Sequence, residues 1–234
     1  MVTPDPRKDH YLDFDGGRSA SLDLVPRGKR PILLAPAFID GIAEVEVINY
    51  LKARPSQGGV FLDIGAHIGF YAIGLASKFE RVIGFEPSPF QFEFFEKNKN
   101  INELINLEAL NVGVSNVNAN EREFFVMGRS GGGNSLHCLP GQNPMYSLKV
   151  STVTIDSLSL SDVRLIKIDV EGHELEVLEG ASSTIQKFRP NILCEVWDKP
   201  EIRSKFFDVM DFLGYDVSFL FESHPELAWC QPKL

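Results

Sequence analysis

The chain has 234 residues, 44% hydrophobic and 24% charged, with a formal charge of −9. Such a chain can bury roughly 70% of the surface its unfolded form exposes, as an ordinary soluble domain does. The acidic balance, with no basic run beyond Arg27-Gly28-Lys29-Arg30, argues against a nucleic-acid partner. No apolar stretch reaches the roughly 20 residues of a membrane span. Cys138, Cys194 and Cys230 are an odd count without CxxC spacing, which disfavours a disulfide framework and a thiolate zinc site. The first thirty residues contain Asp5, Asp9, Asp13 and Asp15 and lack an apolar signal region, so the cytoplasm is the expected compartment.

Residues 1–42 read as a lead-in of short strands or irregular chain, with strand candidates at 19–25 and 31–38 around Pro26-Arg27-Gly28. Residues 43–53 put Val45, Ile48 and Leu51 on one face, a helix closed by Arg54-Pro55. From Gly59 strands and helices alternate: strand 60–66, helix 68–79, strand 81–87, helix 90–98, strand 106–115. That rhythm predicts βαβ units and an α/β fold whose parallel sheet is covered on both faces. Between about 116 and 163 it breaks. Strand candidates at 121–127 and 147–156 flank a loop with Gly131-Gly132-Gly133, either an inserted hairpin or a lid. The loop is either a glycine-hinged segment that borders the substrate pocket and orders when substrate binds, or a disordered surface tip. The rhythm resumes with strands 164–170 and 191–197 and a helix ended by Gly214. The last strands, 215–221 and 226–231, are linked by only Glu222 to Pro225, which predicts an antiparallel hairpin at a sheet edge.

The polar residues of these strands gather at their carboxyl ends, where open α/β sheets bind ligands: Asp63, Glu86, Asn111 and Asp169. The turn Gly65-Ala66-His67-Ile68-Gly69 joins the first strand of the rhythm to its helix. A dinucleotide fingerprint needs a third glycine where His67 stands, because a diphosphate must approach the backbone closely. A nucleoside without phosphates fits better, with Glu86 accepting from its ribose hydroxyls. S-adenosylmethionine is the common one.

In order, LDIGAHIGFYA, GFEPSP, NVGVS and LIKIDVEGHELEVLEGA resemble the FkbM family of S-adenosylmethionine-dependent methyltransferases. The resemblance runs over roughly residues 43–231 and is most specific at DVEGHE. It implies a class I methyltransferase (Rossmann-like) fold: a mostly parallel seven-stranded sheet, helices on both faces and a C-terminal antiparallel hairpin. The methyltransferase domain is then residues 43–234. The resemblance further implies that Asp63, Gly65 and Gly69 shape the methionine pocket, Glu86 holds the ribose, and Asn111 and Val112 border the adenine. His67 is either a polar turn residue or a cofactor contact.

Methyl transfer to an oxygen needs an aligned acceptor and a group to take or share its proton. Asp169, Glu171, His173 and Glu195 are the catalytic candidates at this sheet edge. His173 is the expected proton acceptor, because its ordinary pKa lies nearest neutrality. Asp169 would orient it or hold the acceptor hydroxyl. Glu174 and Glu176 read as acidic residues of a first helical turn that face solvent. Lys167, in mid-strand, is either a snorkelling side chain or an active-site cation. A divalent metal among Asp169, Glu171 and His173 is left open, with no residue assigned as a ligand. The expected activity is O-methylation of a hydroxyl of a sugar, glycan or polyketide-type metabolite. Its alternatives are an NAD(P)-dependent oxidoreductase and a nucleoside-binding protein without catalysis.

Overall fold

The computed structural model describes residues 10–13, 18–21, 32–34, 44–54, 58–128, 133–138, 141–221 and 224–234. Strands β1 (His10–Asp13), β2 (Arg18–Ser21) and β3 (Ile32–Leu34) form an antiparallel sheet in the order β2-β1-β3. β2 and β3 overlap the two strand candidates of the lead-in, while β1 had no signal. Residues 22–25, 31 and 35–38 of those candidates lie outside the described residues, as do Gly131, Gly132, Glu222 and Ser223.

The main body is built from α1 (Glu44–Lys52), β4 (Val60–Ile64), α2 (Phe70–Leu75), β5 (Arg81–Phe85), α3 (Pro89–Ile101) and β6 (Leu107–Leu110). After an excursion described below come β10 (Val163–Ile168), α4 (Glu174–Gly180), α5 (Ser182–Phe188), β11 (Asn191–Glu195), α6 (Pro200–Leu213), β12 (Tyr215–Phe219) and β13 (Leu227–Pro232). The seven strands run in the order β12-β13-β11-β10-β4-β5-β6. β11, β10, β4, β5 and β6 are parallel, and β13 joins β11 and β12 antiparallel. This is the sheet the family resemblance implies. The short link after β12 lets β13 turn back into the gap beside β11 instead of extending the edge.

Every residue of β4 is buried, as a strand covered on both faces must be. One core packs Phe61, Leu165, Leu193 and Trp229 against α1, α2 and α3 through Ile48, Tyr71, Leu75 and Phe95. The opposite core packs Leu62, Ile64, Ile166, Ile168, Ile192 and Cys194 against α4, α5 and α6. Among the described residues no helix is long and apolar enough to cross a membrane.

Two elements differ from the sequence reading. The helix expected over 68–79 is α2 followed by a tighter turn at Ala76–Lys78. The strand expected over 106–115 divides: β6 ends at Leu110, and Gly113–Val114 form β7, which leaves the main sheet. β7 pairs parallel with β9 (Tyr146–Val153), and β9 pairs antiparallel with β8 (Ala119–Val126). The excursion is therefore an inserted hairpin with a small core of Phe124, Val126, Leu136 and Val150.

Candidate active site

Strand pleating collects the charged groups. Side chains alternate along a strand, so Asp63 shares a face with Phe61, Lys167 with Leu165, and Glu195 with Leu193, all on the α1–α3 side. Lys167 is paired in register with Asp63. Its ammonium donates to the Gly65 carbonyl at 2.9 Å and lies 3.2 Å from Asp169 Oδ2 and 3.6 Å from Asp63 Oδ1. Its charge also sits 5.2 Å from the Tyr71 ring centroid. Lys167 is thus buried and engaged with the site, which decides against snorkelling. Asp63 is wholly buried and accepts from the Ala72 amide at 2.8 Å. Burial raises its pKa, against the pull of Lys167.

An open cavity of about 270 Å³ lies over this edge, lined by Gly65, His67, Tyr71, Glu86, Asn134, Asp169 and others named below. Gly65 has φ +77°, and a Cβ there would stand 1.8 Å from the Asp169 carbonyl oxygen, so only glycine lets β4 turn under the β10 end. Gly69 is the α2 N-cap, also at positive φ, and a Cβ there would strike the Phe95 ring at 2.3 Å. Its bare face seats α3. Glu86 Oε2 accepts from the His67 amide and Oε1 from the Ser88 amide, both at 2.8 Å. Burial, the largest influence, pushes the Glu86 carboxyl up to about 7. Asn111 donates to the carbonyls of Glu86 (2.8 Å) and Pro87 (3.1 Å), while Val112 packs beside the second core. Of the expected cofactor residues, Gly65, His67 and Glu86 line the cavity. Asp63, Gly69, Asn111 and Val112 stand behind it, and Pro87, Gly113 and Val114 form that wall instead.

The DVEGHE segment ends the strand early. β10 stops at Ile168, and Glu171 (φ 57°) and Gly172 (φ 97°) take left-handed conformations. A left-handed glutamate is unusual and stores local strain. The reversal brings Glu171 back to the strand ends: one oxygen each of Asp169, Glu171 and Glu195 lie within 4.8 Å of one another. Alternation would put Asp169 and Glu171 on one face only in a continuous strand; a turn brings them together instead. All three line the cavity, and their oxygens are of the kind a hard divalent cation takes. Burial, then the neighbouring Asp169, drives Glu195 up to about 10. Burial and Asp169 also raise Glu171, whose Oε1 accepts from the Gly133 amide at 2.9 Å.

His173 also lines the cavity, but both of its ring nitrogens have partners. Nε2 lies 2.9 Å from Ser115 Oγ; Nδ1 is 3.5 Å from His137 Nδ1 and 3.6 Å from Glu176 Oε2. Burial holds its pKa down at about 4. Glu174 and Glu176 do lie in the first turn of α4, but Glu174 does not face solvent. It is buried, accepts from the Gly172 amide at 2.9 Å, and burial pushes its carboxyl up to about 7. The turn that redirects Glu171 needs that acceptor. Glu176 is half-buried against the two histidines. His137 and Leu136 carried no sequence signal, because they lie in an excursion without periodicity; Ser115 ends the 106–115 strand candidate and Asn134 follows the glycine loop, both within segments the sequence singled out.

Comparison with known proteins places this edge in a family. The methyltransferase FkbM domain matches residues 63–221. The methyltransferase sdnD of Sordaria araneosa is 24% identical over 192 residues, 67% of this chain and 73% of that protein. The hexuronic acid methyltransferase AglP of Haloferax volcanii is 28% identical over 147 residues, 61% of this chain and 58% of that one. Among solved structures, the FkbM methyltransferase of Methylobacillus flagellatus superposes with a TM-score of 0.55 at 18% identity. This chain spans 44% of that longer protein, and 76% of its own length is covered. At that identity the likeness concerns the fold, mixed α/β with a mostly parallel sheet. Because the family's pattern covers more than half of the chain and every charged residue of the edge described above, the protein belongs to the FkbM methyltransferase family and is a methyltransferase.

Proposed function

We propose that the protein is an S-adenosylmethionine-dependent O-methyltransferase acting on a hydroxyl of a sugar, glycan or polyketide-type metabolite. The observation that carries this reading is the meeting of Asp169, Glu171 and Glu195 in the same cavity as Gly65, His67 and Glu86. S-adenosylmethionine brings a methyl group already activated on a sulfonium sulfur, so alignment and proton removal are what the protein must add. The residues present fit it: Glu86 is a buried carboxylate held near pH 7, a state that two ribose hydroxyl donors would relieve. Gly65 and His67 would flank the amino-acid end, with Asp63 and Gly69 fixing their turn from behind and Asn111 and Val112 supporting the adenine wall. Membership of a methyltransferase family leaves no place for hydride transfer or for binding without catalysis.

In this reading Asp169 accepts the proton of the acceptor hydroxyl. Lys167, at 3.2 Å, balances its charge and fixes its direction. Glu195, its carboxyl pushed up to about 10 by burial and by Asp169, would hold its proton at neutral pH and share it with the cluster. His173 yields the proton-accepting role, since its nitrogens are engaged with Ser115 and His137; it positions the turn. A neutral hydroxyl suits this pocket better than an acceptor carboxylate, which would meet three carboxyl groups at close range. The relative named as a hexuronic acid methyltransferase supports a sugar acceptor.

The test is transfer of labelled methyl from S-adenosylmethionine to a panel of monosaccharides, uronic acids and phenolic metabolites. Label in a product that resists mild alkali, as an ether does, supports the reading. Label released by alkali marks a methyl ester and overturns it. Magnesium-stimulated turnover that vanishes in Glu195→Gln would move proton removal to a metal-bound hydroxyl.

A further inference from the structure

His137, His173 and Glu176 form a second cluster, separate from the three carboxylates and unused by methyl transfer. One nitrogen of each imidazole and one carboxylate oxygen lie within 4.8 Å of one another. His137 Nε2 is 3.9 Å from Glu176 Oε1, and His173 Nδ1 is 3.6 Å from Glu176 Oε2. Ligands around a tetrahedral zinc, at bond lengths of about 2.0–2.1 Å, stand about 3.3 Å apart. With every pair within 4.8 Å, contraction by at most about 1.5 Å would close the set, and His137, whose side chain is 45% exposed, has room to move.

The second observation lies in what holds the other nitrogens. His137 Nδ1 is 3.0 Å from the Gly172 carbonyl. A carbonyl only accepts, so this nitrogen carries the hydrogen and Nε2 keeps its lone pair. His173 Nε2 stands 2.9 Å from Ser115 Oγ. A hydrogen donated there leaves the lone pair on Nδ1. In these tautomers each imidazole turns a lone-pair nitrogen toward the Glu176 carboxylate, and His173 Nδ1 also faces His137 Nδ1 at 3.5 Å. Each also has its opposite nitrogen fixed by a carbonyl or hydroxyl, the outer support that metal-bound histidines characteristically have.

We infer that His137 Nε2, His173 Nδ1 and the Glu176 carboxylate bind a zinc-class divalent ion that clips the β8–β9 connection onto the first turn of α4. Two imidazoles with one carboxylate suit zinc and its late first-row neighbours and do not suit magnesium. Water takes the remaining position on the His137 side. The ion would act on shape: Leu136 and His173 line the cavity on either side of it, so the clip sets the distance between the hairpin wall and the DVEGHE turn. It does not depend on the proposed methylation reaction, and metal content reports on it whether or not an acceptor is known.

The full chain is stripped with a chelator, loaded with zinc chloride, passed through gel filtration and assayed for metal and melting temperature. About one zinc retained per chain is expected, with a rise in melting temperature, and cobalt should bind with visible ligand-field absorption. His137→Ala and Glu176→Gln should each lose the metal and the thermal gain, while His224→Ala keeps both. Cys138→Ser must also keep the metal; losing it would replace the proposed donors with the neighbouring thiolate and overturn this set. Absence of retained zinc in the parent, retention undiminished in His137→Ala, or a preference for magnesium each overturns the inference. A circular-dichroism check that His137→Ala is folded keeps its loss of metal interpretable.

Discussion

Glu86 takes the amides of His67 and Ser88 on its two oxygens, and burial pushes its carboxyl up to about 7. Ribose hydroxyls donate more strongly to its ionised form, whose two oxygens both accept and carry the charge. Affinity for S-adenosylhomocysteine should therefore fall as pH drops below 7, approaching about tenfold per unit, and binding there should release a proton. Calorimetry in buffers of different ionisation heat measures both; a flat profile from pH 8 to 6 removes Glu86 from the ribose. Glu86→Ala should weaken binding by about 1–3 kcal/mol, the usual loss for a charged hydrogen bond left unmade. Asp169→Asn should behave differently, lowering kcat by about 10²–10⁴ with cofactor affinity intact in the same calorimeter. Asp63, Gly65, Gly69 and Glu86 were legible in the sequence because each marks a strand end or a turn. His137 was not: a ring that reaches α4 from across the hairpin leaves no periodic trace.

Secondary elements show the same division. Apolar runs bounded by glycine and proline announced β4, β5, β10 and β11, whose burial on two faces demands such runs. The path at Leu110–Gly113 was not announced, because local sequence cannot say which neighbouring strand will claim β7. The hairpin's attachment to the site gives a further expectation. Gly133 donates to Glu171, so Glu171→Ala should speed amide hydrogen exchange across residues 133–138 while the main sheet stays protected. A true acceptor should slow the same exchange if this segment closes over it. Equal exchange in parent and variant would mean that the contact does not restrain the hairpin.

Over the whole molecule, the formal net charge of −9 is moderated by carboxyls that burial makes reluctant to ionise. Glu86 and Glu195 have folded pKa values of about 7 and about 10, above the ordinary 4.5. A raised value means the folded state binds the proton more tightly than the unfolded one. Their contribution is full below about 4.5 and is lost as pH rises, through 7 for Glu86 and through 10 for Glu195. Melting temperature should accordingly fall from pH 7 to pH 9. Glu195→Gln should flatten that fall and raise the pH 8 melting temperature by about 2–4 °C for each kcal/mol relieved. An unchanged slope would deny Glu195 its strain. Stability yielded at a site in this way commonly accompanies function.

β7 leaves the main sheet to pair with the hairpin, yet Gly113 and Val114 still line the cavity. Its two residues are a graft union between the main sheet and the hairpin wall. Lengthening or replacing residues 119–153 need not disturb Glu86, Gly65 or Lys167, none of which the hairpin carries. A chimera bearing a relative's hairpin on this sheet should therefore keep its affinity for S-adenosylhomocysteine within about threefold while exchanging its acceptor for the donor's. On that view, the family could diversify its products by re-stocking one short sheet while the machinery of transfer stays in place.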